Sequence, residues 1–138
     1  MDNTDRCPCG SGETYGACCG RLHAAFAASG QLTAPTPEAL MRSRFSAFAV
    51  NDMPYLLATW HPATRPASLE LDETLRWYRL DILASGGGVF DDRGTVEFAA
   101  YYRSVPNLPQ EERVKGVQQE KSRFVREGGS WFYLDGEL

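Results

Sequence analysis

Four cysteines fall within the first twenty residues, Cys7, Cys9, Cys18 and Cys19, and the chain has no others. Their spacing is C-x-C, eight residues, then C-C. Thiolates gathered this closely suit a soft tetrahedral cation, because closed structural zinc sites are built from sulfur and nitrogen ligands. Pro8 stiffens the first pair, and Gly10, Gly12 and Gly16 let the backbone turn tightly and aim amides at the sulfurs. Disulfides are the competing chemistry. A bridge within C-x-C or between adjacent cysteines is strained, its geometry lying far from the relaxed one. Bridges between the two pairs are sterically open, but the acidic, polar start does not read as a secretory signal, and a reducing cytosol disfavours them. Cysteine arithmetic therefore favours a metal over four unrelated thiols. Zinc and iron both accept four sulfurs, so the spacing does not choose between them. Four protein ligands and no open position describe a structural rather than a hydrolytic metal.

Cys7-Pro8-Cys9-Gly10-Ser11-Gly12, followed by Tyr15 and Cys18-Cys19-Gly20, resembles the SEC-C motif, the short metal-binding module at the C-terminal end of the preprotein translocase motor SecA. The resemblance covers about a tenth of the chain and implies Cys7, Cys9, Cys18 and Cys19 as the ligands. It also implies a protein or ribosome partner. His23 follows Cys19 by four residues. On a helix that spacing reaches the same face, as a substitute ligand or, preferably, as a surface histidine.

A second constellation lies in the other half of the chain. On a strand, Gln118, Glu120, Ser122 and Phe124 share one face. If Phe124 faces a core, so does Glu120, and a buried carboxylate is costly unless it is paired or held neutral. Arg42 or Arg44, from a helix over the sheet, would supply the partner, and His61, just after Trp60, would stand at the rim. One reading makes these residues, with Trp60 and Ser122, a polar pocket for a small anionic or aromatic ligand. The other makes Glu120 and Arg44 a structural pair stitching helix to sheet, with Trp60 and Trp77 in the core. The second is preferred, because ion-pair networks perturb charges without catalysis.

These side chains need positioning elements. His23 to Ser29 is alanine-rich and stops at Gly30. Residues 33–37 form a linker, dividing a metal module over 1–22 from a main domain over 33–138. Thr36 caps a helix with Pro37 at its first position. Leu40, Met41, Phe45, Phe48 and Ala49 form its buried stripe, with Arg42 and Arg44 off the stripe's centre. Asn51-Asp52 breaks it, and Met53 to Trp60 resumes with Met53, Leu56, Leu57 and Trp60 on one side. The span 68–74 is ambiguous between strand and short helix.

Beyond it the period changes to two. Trp77 to Ser85 reads as a strand, with Tyr78, Leu80 and Ile82 on one face and Trp77 and Leu83 on the other, ended by Gly86-Gly87-Gly88. Gly94 to Val105 is a second, with Val96, Phe98, Ala100 and Tyr102 on one side and Tyr101 opposite. Arg113 to Arg126 is a third, and Gly128-Gly129 turns it into a fourth at Ser130 to Leu134. Helices followed by an antiparallel meander give an α+β layer, a curved sheet holding the helices in its concavity.

The 138 residues suit one compact domain beside the small metal knuckle, and 43% of them are apolar. No run approaches a membrane span of about 20 apolar residues. The formal net charge of -4 gives no field favouring nucleic acid. A cytoplasmic protein is the expectation. The phosphate-binding, nucleophile-elbow and dinucleotide signatures are absent, so an enzyme is the less favoured class.

Glu38-x-Leu40-Met41-Arg42-Ser43-Arg44-Phe45-x-Ala47-Phe48, with Tyr55-Leu56, Thr59-Trp60-His61-Pro62 and Trp77, resembles the YchJ family. So do Glu120-x-Ser122-Arg123-Phe124 and Trp131-Phe132-Tyr133-x-Asp135-Gly136. With the knuckle, these signatures span nearly the whole chain. The resemblance implies a nuclear transport factor 2-like cone, in accord with the element order. An adaptor that presents a zinc knuckle to a protein or ribosome is the first functional expectation. A small-molecule-binding or enzymatic cone using Glu120, Arg44 and His61 is the second, and zinc or iron handling by the thiolates the third.

Overall fold

The computed structural model describes residues 1–87 and 90–137. Three α-helices come first, α1 (Cys19–Ser29), α2 (Pro37–Ala49) and α3 (Met53–Ala58). Four strands follow, β1 (Leu75–Gly86), β2 (Arg93–Ser104), β3 (Lys115–Glu127) and β4 (Ser130–Glu137). Each strand pairs antiparallel with the next, in the order β1-β2-β3-β4. Helix α2 packs on β1, β2 and β4. This is the α+β layer that the change of period implies.

Local chemistry sets the helix limits. Gly30 ends α1 in the left-handed region at φ 74°, donating its amide to Phe26 O. The Thr36 hydroxyl accepts from Ala39 N at 3.1 Å, with Pro37 in the first turn. Asn51 takes φ 59°, and Asp52 then caps α3 by accepting from Tyr55 N. Helix α3 stops at Ala58, short of Trp60, and is turned from the expected stripe: Met53 is exposed and Tyr55 is buried. A hydrogen bond of 2.7 Å between Tyr55 Oη and Ser43 Oγ fixes that orientation. Residues 68–74 form neither helix nor strand, but Leu69 and Leu71 pack on the Tyr55–Leu56 cluster.

Strand β2 buries Val96, Phe98 and Ala100 as expected, but Ala99 on the opposite face is buried too and Tyr102 is only half-buried. Strand β1 does not alternate. Its register against β2 shifts between Trp77 and Arg79 and again between Ile82 and Ala84. A bulge adds a residue and reverses the faces beyond it. Trp77 therefore joins Leu80 and Ile82 on the core side, against Phe48 and Tyr102, while Tyr78 turns outward beside Tyr101. This corrects the strict alternation that sets Tyr78 on the face of Leu80 and Ile82 and Trp77 on the opposite face, while Trp77 joins the core as the preferred reading has it. The strand ends at Gly86; Gly87 takes φ 96°, and Gly88 lies outside the described residues. Gly128 and Gly129, both at positive φ, make the β3–β4 turn.

The core begins in the knuckle. Cys7, Cys9 and Cys19 belong to the same buried cluster as Leu40, Met41, Phe45, Leu80, Val96, Phe98, Phe124 and Trp131. No described helix is long and apolar enough to cross a membrane.

Candidate functional site

The four cysteine sulfurs converge. All lie within 4.8 Å of one another, with Cys9 to Cys18 at 3.6 Å and Cys18 to Cys19 at 4.0 Å. A tetrahedron with zinc–sulfur bonds of about 2.3 Å has edges of about 3.8 Å, so the donor set fits such an ion. The backbone brings them there through an Arg6–Thr14 bridge and a bond from Cys7 N to Glu13 O. A 3-10 turn over Tyr15–Ala17 then delivers Cys18 and Cys19 at the start of α1. Ser11 Oγ donates to Cys18 Sγ at 3.2 Å, and Ser46 Oγ stands 3.6 Å from Cys7 Sγ. Hydrogen bonds from Cys19 and Cys9 hold the Cys7 thiol below its ordinary range, and the same contacts push Cys19 up.

Gly20 explains the residue after the cysteine pair. A Cβ there would lie 2.6 Å from Tyr15 O and 2.7 Å from the Tyr15 ring. The Gly20→Ala variant is therefore expected to lose about 1–3 kcal/mol, the usual cost of overpacking, read as a lower urea midpoint. An unchanged midpoint would mean that Tyr15 yields freely.

His23 is neither a ligand nor a surface residue. It is 5% exposed. Its Nε2 lies 2.8 Å from Ser43 O, an acceptor only, so Nε2 carries the proton and Nδ1 accepts from Tyr15 Oη at 2.6 Å. The chain of bonds from Tyr15 through His23 to α2 ties the knuckle to the sheet-packed helix. Arg42 adds a second tie, donating from Nη1 to Cys9 O at 2.9 Å and from Nε to Glu38.

Between α2 and the sheet lies a cavity of about 220 Å³ lined by Arg44, Phe45, Phe48, Trp60, Trp77, Phe98, Ala100, Gln118, Glu120, Ser122 and Tyr133, with Met41. Arg44 enters it from α2, fully buried, with Nη1 donating to Leu56 O and to Thr59 Oγ1. Its guanidinium lies 5.1 Å from the Trp60 ring and 4.6 Å from that of Tyr133. Burial pulls Arg44 down to about 10. Glu120 accepts from Ser122 Oγ at 2.9 Å and from Tyr133 Oη at 3.4 Å. Gly136 makes its room, because a Cβ there would run into the Glu120 carboxylate.

Arg44, Trp60, Glu120 and Ser122 thus meet as side chains, whereas Arg42 and His61 do not reach the cavity. Arg42 is drawn away by Glu38 and the Cys9 carbonyl. His61 turns to the far side of β4, where Nδ1 accepts from Ala63 N and the ring meets Phe132 edge-on. Its Nε2 lies 3.0 Å from Glu127 Oε2, close enough for an ion pair but not aligned as a hydrogen bond. The expected Glu120–Arg44 pair is corrected too, since among the described residues no carboxylate lies within 4.0 Å of Arg44. Of the polar lining residues, Tyr133 is the one that sequence reasoning missed, along with the aromatic walls from Phe45, Phe48, Trp77 and Phe98. A parallel bridge between Trp60 and Tyr133 and a register shift between Arg123 and Phe124, which leaves Leu134 as an extra residue in β4, bring Tyr133 in.

Burial pushes Tyr15, Tyr55 and Tyr133 up to about 12. Unfolded tyrosines ionise near about 10, so these three contribute stability that is complete below about pH 10 and lost as pH rises to about 12. Arg44, lowered instead, has the opposite sign over that window. Three groups against one predict a melting temperature that falls between about pH 10 and 12. Tyrosinate absorbance should rise with unfolding; a full rise in the still-folded chain would contradict it.

A four-cysteine knuckle leading into helices packed on an antiparallel meander defines a SEC-C protein with a nuclear transport factor 2-like domain. The model for the YchJ middle NTF2-like domain matches residues 36–136, and that for the SEC-C motif matches 4–21. The chain belongs to the YchJ family, whose members carry the name UPF0225 protein. It is 52% identical over 134 residues to a UPF0225 protein of Corynebacterium glutamicum, covering 96% of this chain and 97% of the relative. A Streptomyces coelicolor UPF0225 protein is 50% identical over 136 residues, with 98% and 97% covered. The solution structure of a SEC-C motif containing protein from Rhodopseudomonas palustris is similar at a TM-score of 0.76 and 35% identity, over 96% of this chain and 97% of that one. A crystal structure of a SEC-C motif containing protein from Psychrobacter arcticus is similar at 0.74 and 26% identity, over 98% and 84%.

Proposed function

We propose that this chain is a metal-braced ligand-binding protein. Zinc on Cys7, Cys9, Cys18 and Cys19 holds the knuckle against α2, and the cone domain receives a small molecule between α2 and the sheet. The observation that carries this reading is the cavity itself. It combines aromatic walls with a buried arginine that, among the described residues, no carboxylate pairs at 4.0 Å or less. Binding pockets have that composition, apolar linings with a few convergent polar groups. When bound, zinc supplies a fixed tetrahedral node and no reaction, because all four positions are thiolates. Iron is the alternative ion for the same donors.

The test is a screen of small aromatic fragments by NMR on the metal-loaded chain, following the indole N–H signals of Trp60 and Trp77. Binding should shift both signals, and filling the cavity with Ala100→Phe should abolish the shifts while the amide spectrum stays dispersed. A screen in which no fragment moves either signal overturns the reading.

A contact module is the second reading, favoured by the exposed turn over residues 10–14 of the knuckle. A protein partner that this turn holds should be lost from pull-downs with Ser11→Lys, Glu13→Lys. Equal recovery of every partner from the double variant counts against it.

A further inference from the structure

The cavity contains two opposite charges that do not touch each other. Arg44 and Glu120 both line it, yet among the described residues no carboxylate oxygen comes within 4.0 Å of an Arg44 nitrogen. Arg44 spends Nη1 on Leu56 O and Thr59 Oγ1, while its guanidinium plane rests on two aromatic rings. Glu120 accepts from the hydroxyls of Ser122 and Tyr133, which line the cavity beside it. Separated charges in an apolar enclosure form a fixed dipole, and burial disfavours the Arg44 charge until an anion arrives, while the half-buried Glu120 carries the opposite sign across the same cavity. Most of the remaining wall is aromatic, from Phe45, Phe48, Trp60, Trp77, Phe98 and Tyr133, with Met41, Ala100 and Gln118 beside them.

We infer that the cavity takes a small zwitterion with a flat apolar body, of the size of an aromatic amino acid, its carboxylate on Arg44 and its ammonium on Glu120. This rests on the reading of the cavity as a ligand site. Size agrees with it, because 220 Å³ is equivalent to about seven waters and lies below the about 300–1,000 Å³ of pockets for drug-sized ligands. Charge selects among ligands of that size. A simple acid satisfies Arg44 but sets a second anion beside Glu120. A simple amine does the reverse. An uncharged ring answers neither group. Only a ligand carrying both charges answers both, and its ammonium gains further from the aromatic faces.

The experiment titrates the full metal-loaded chain with phenylalanine, 3-phenylpropionate, phenethylamine and ethylbenzene, which share ring and chain length and differ in charge. The Trp60 and Trp77 indole signals report binding. Phenylalanine should bind about tenfold or more tighter than any of the other three, the scale of one charge-assisted hydrogen bond. Glu120→Gln should erase its advantage over 3-phenylpropionate. If an analogue lacking one or both charges binds as tightly as phenylalanine, the zwitterion assignment falls while the cavity remains a ligand site. If none of the four shifts either signal, the assignment and the reading beneath it fall together. The comparison in the unsubstituted chain decides the matter even if Glu120→Gln does not fold.

Discussion

Replacing Cys18 and Cys19 together by serine is expected to remove the metal and lower the melting temperature of the whole chain by at least about 10 °C. A knuckle joined only by a linker would unfold alone and leave the main transition in place. Here the sulfurs of Cys7, Cys9 and Cys19 are part of the cluster that contains Phe45, Leu80, Val96 and Trp131. Freed from a metal, four crowded thiols would have to separate or repack, and the motion would pass to α2 through Ser46, His23 and Arg42. Structural zinc in small domains contributes on the order of 10 kcal/mol of apparent binding free energy, so its loss exceeds an ordinary point substitution. Elemental analysis should give about one zinc per chain in the unsubstituted protein and none in the variant. A main transition within about 2 °C of the parent would show that the knuckle braces nothing beyond itself. Readily exchanging iron in place of zinc would overturn the structural metal and favour metal handling.

Arg44→Ala carries the second large effect, a loss of about 3–4 kcal/mol measured by urea unfolding. Its cation is not what stabilises the fold; burial disfavours the charge, which is why Arg44 ionises down at about 10. The stabilisation comes from its stem, from two donors' worth of bonds to the α3 terminus and from stacking on Trp60 and Tyr133. Alanine removes all of these and leaves a hole beside an existing cavity. Arg44→Met keeps the stem without the charge and should cost only about 1–2 kcal/mol. Equal losses in the two variants would mean that the guanidinium, not the stem, carries the effect. A loss under about 1 kcal/mol for alanine would remove Arg44 as a brace between helix and sheet.

Features with local causes were legible in the amino-acid sequence. Thr36-Pro37, Asp52, Gly30 and Gly128-Gly129 mark their boundaries through caps and backbone freedom within a few residues. The alternation of Val96, Phe98 and Ala100 announces a buried face, and the four cysteines converge because a short glycine-rich turn leaves them few alternatives. Glu120 and Ser122 were legible as one face of β3 for the same reason of period.

Tertiary structure decided the rest. Trp77 faces the cavity because β1 takes an extra residue against β2, a fact of pairing that no property of β1 alone contains. Tyr133 reaches Glu120 and Arg44 because residues 59–61 lie alongside β4, more than seventy positions later in the chain. That same pairing carries His61 to the other side, toward Glu127. His23 is buried because Ser43 and Tyr15 happen to stand at its two nitrogens once α1 and α2 pack. Composition and period fix which side chains face inward; which of them meet is fixed by register and by helix packing, where partners distant in sequence set the geometry.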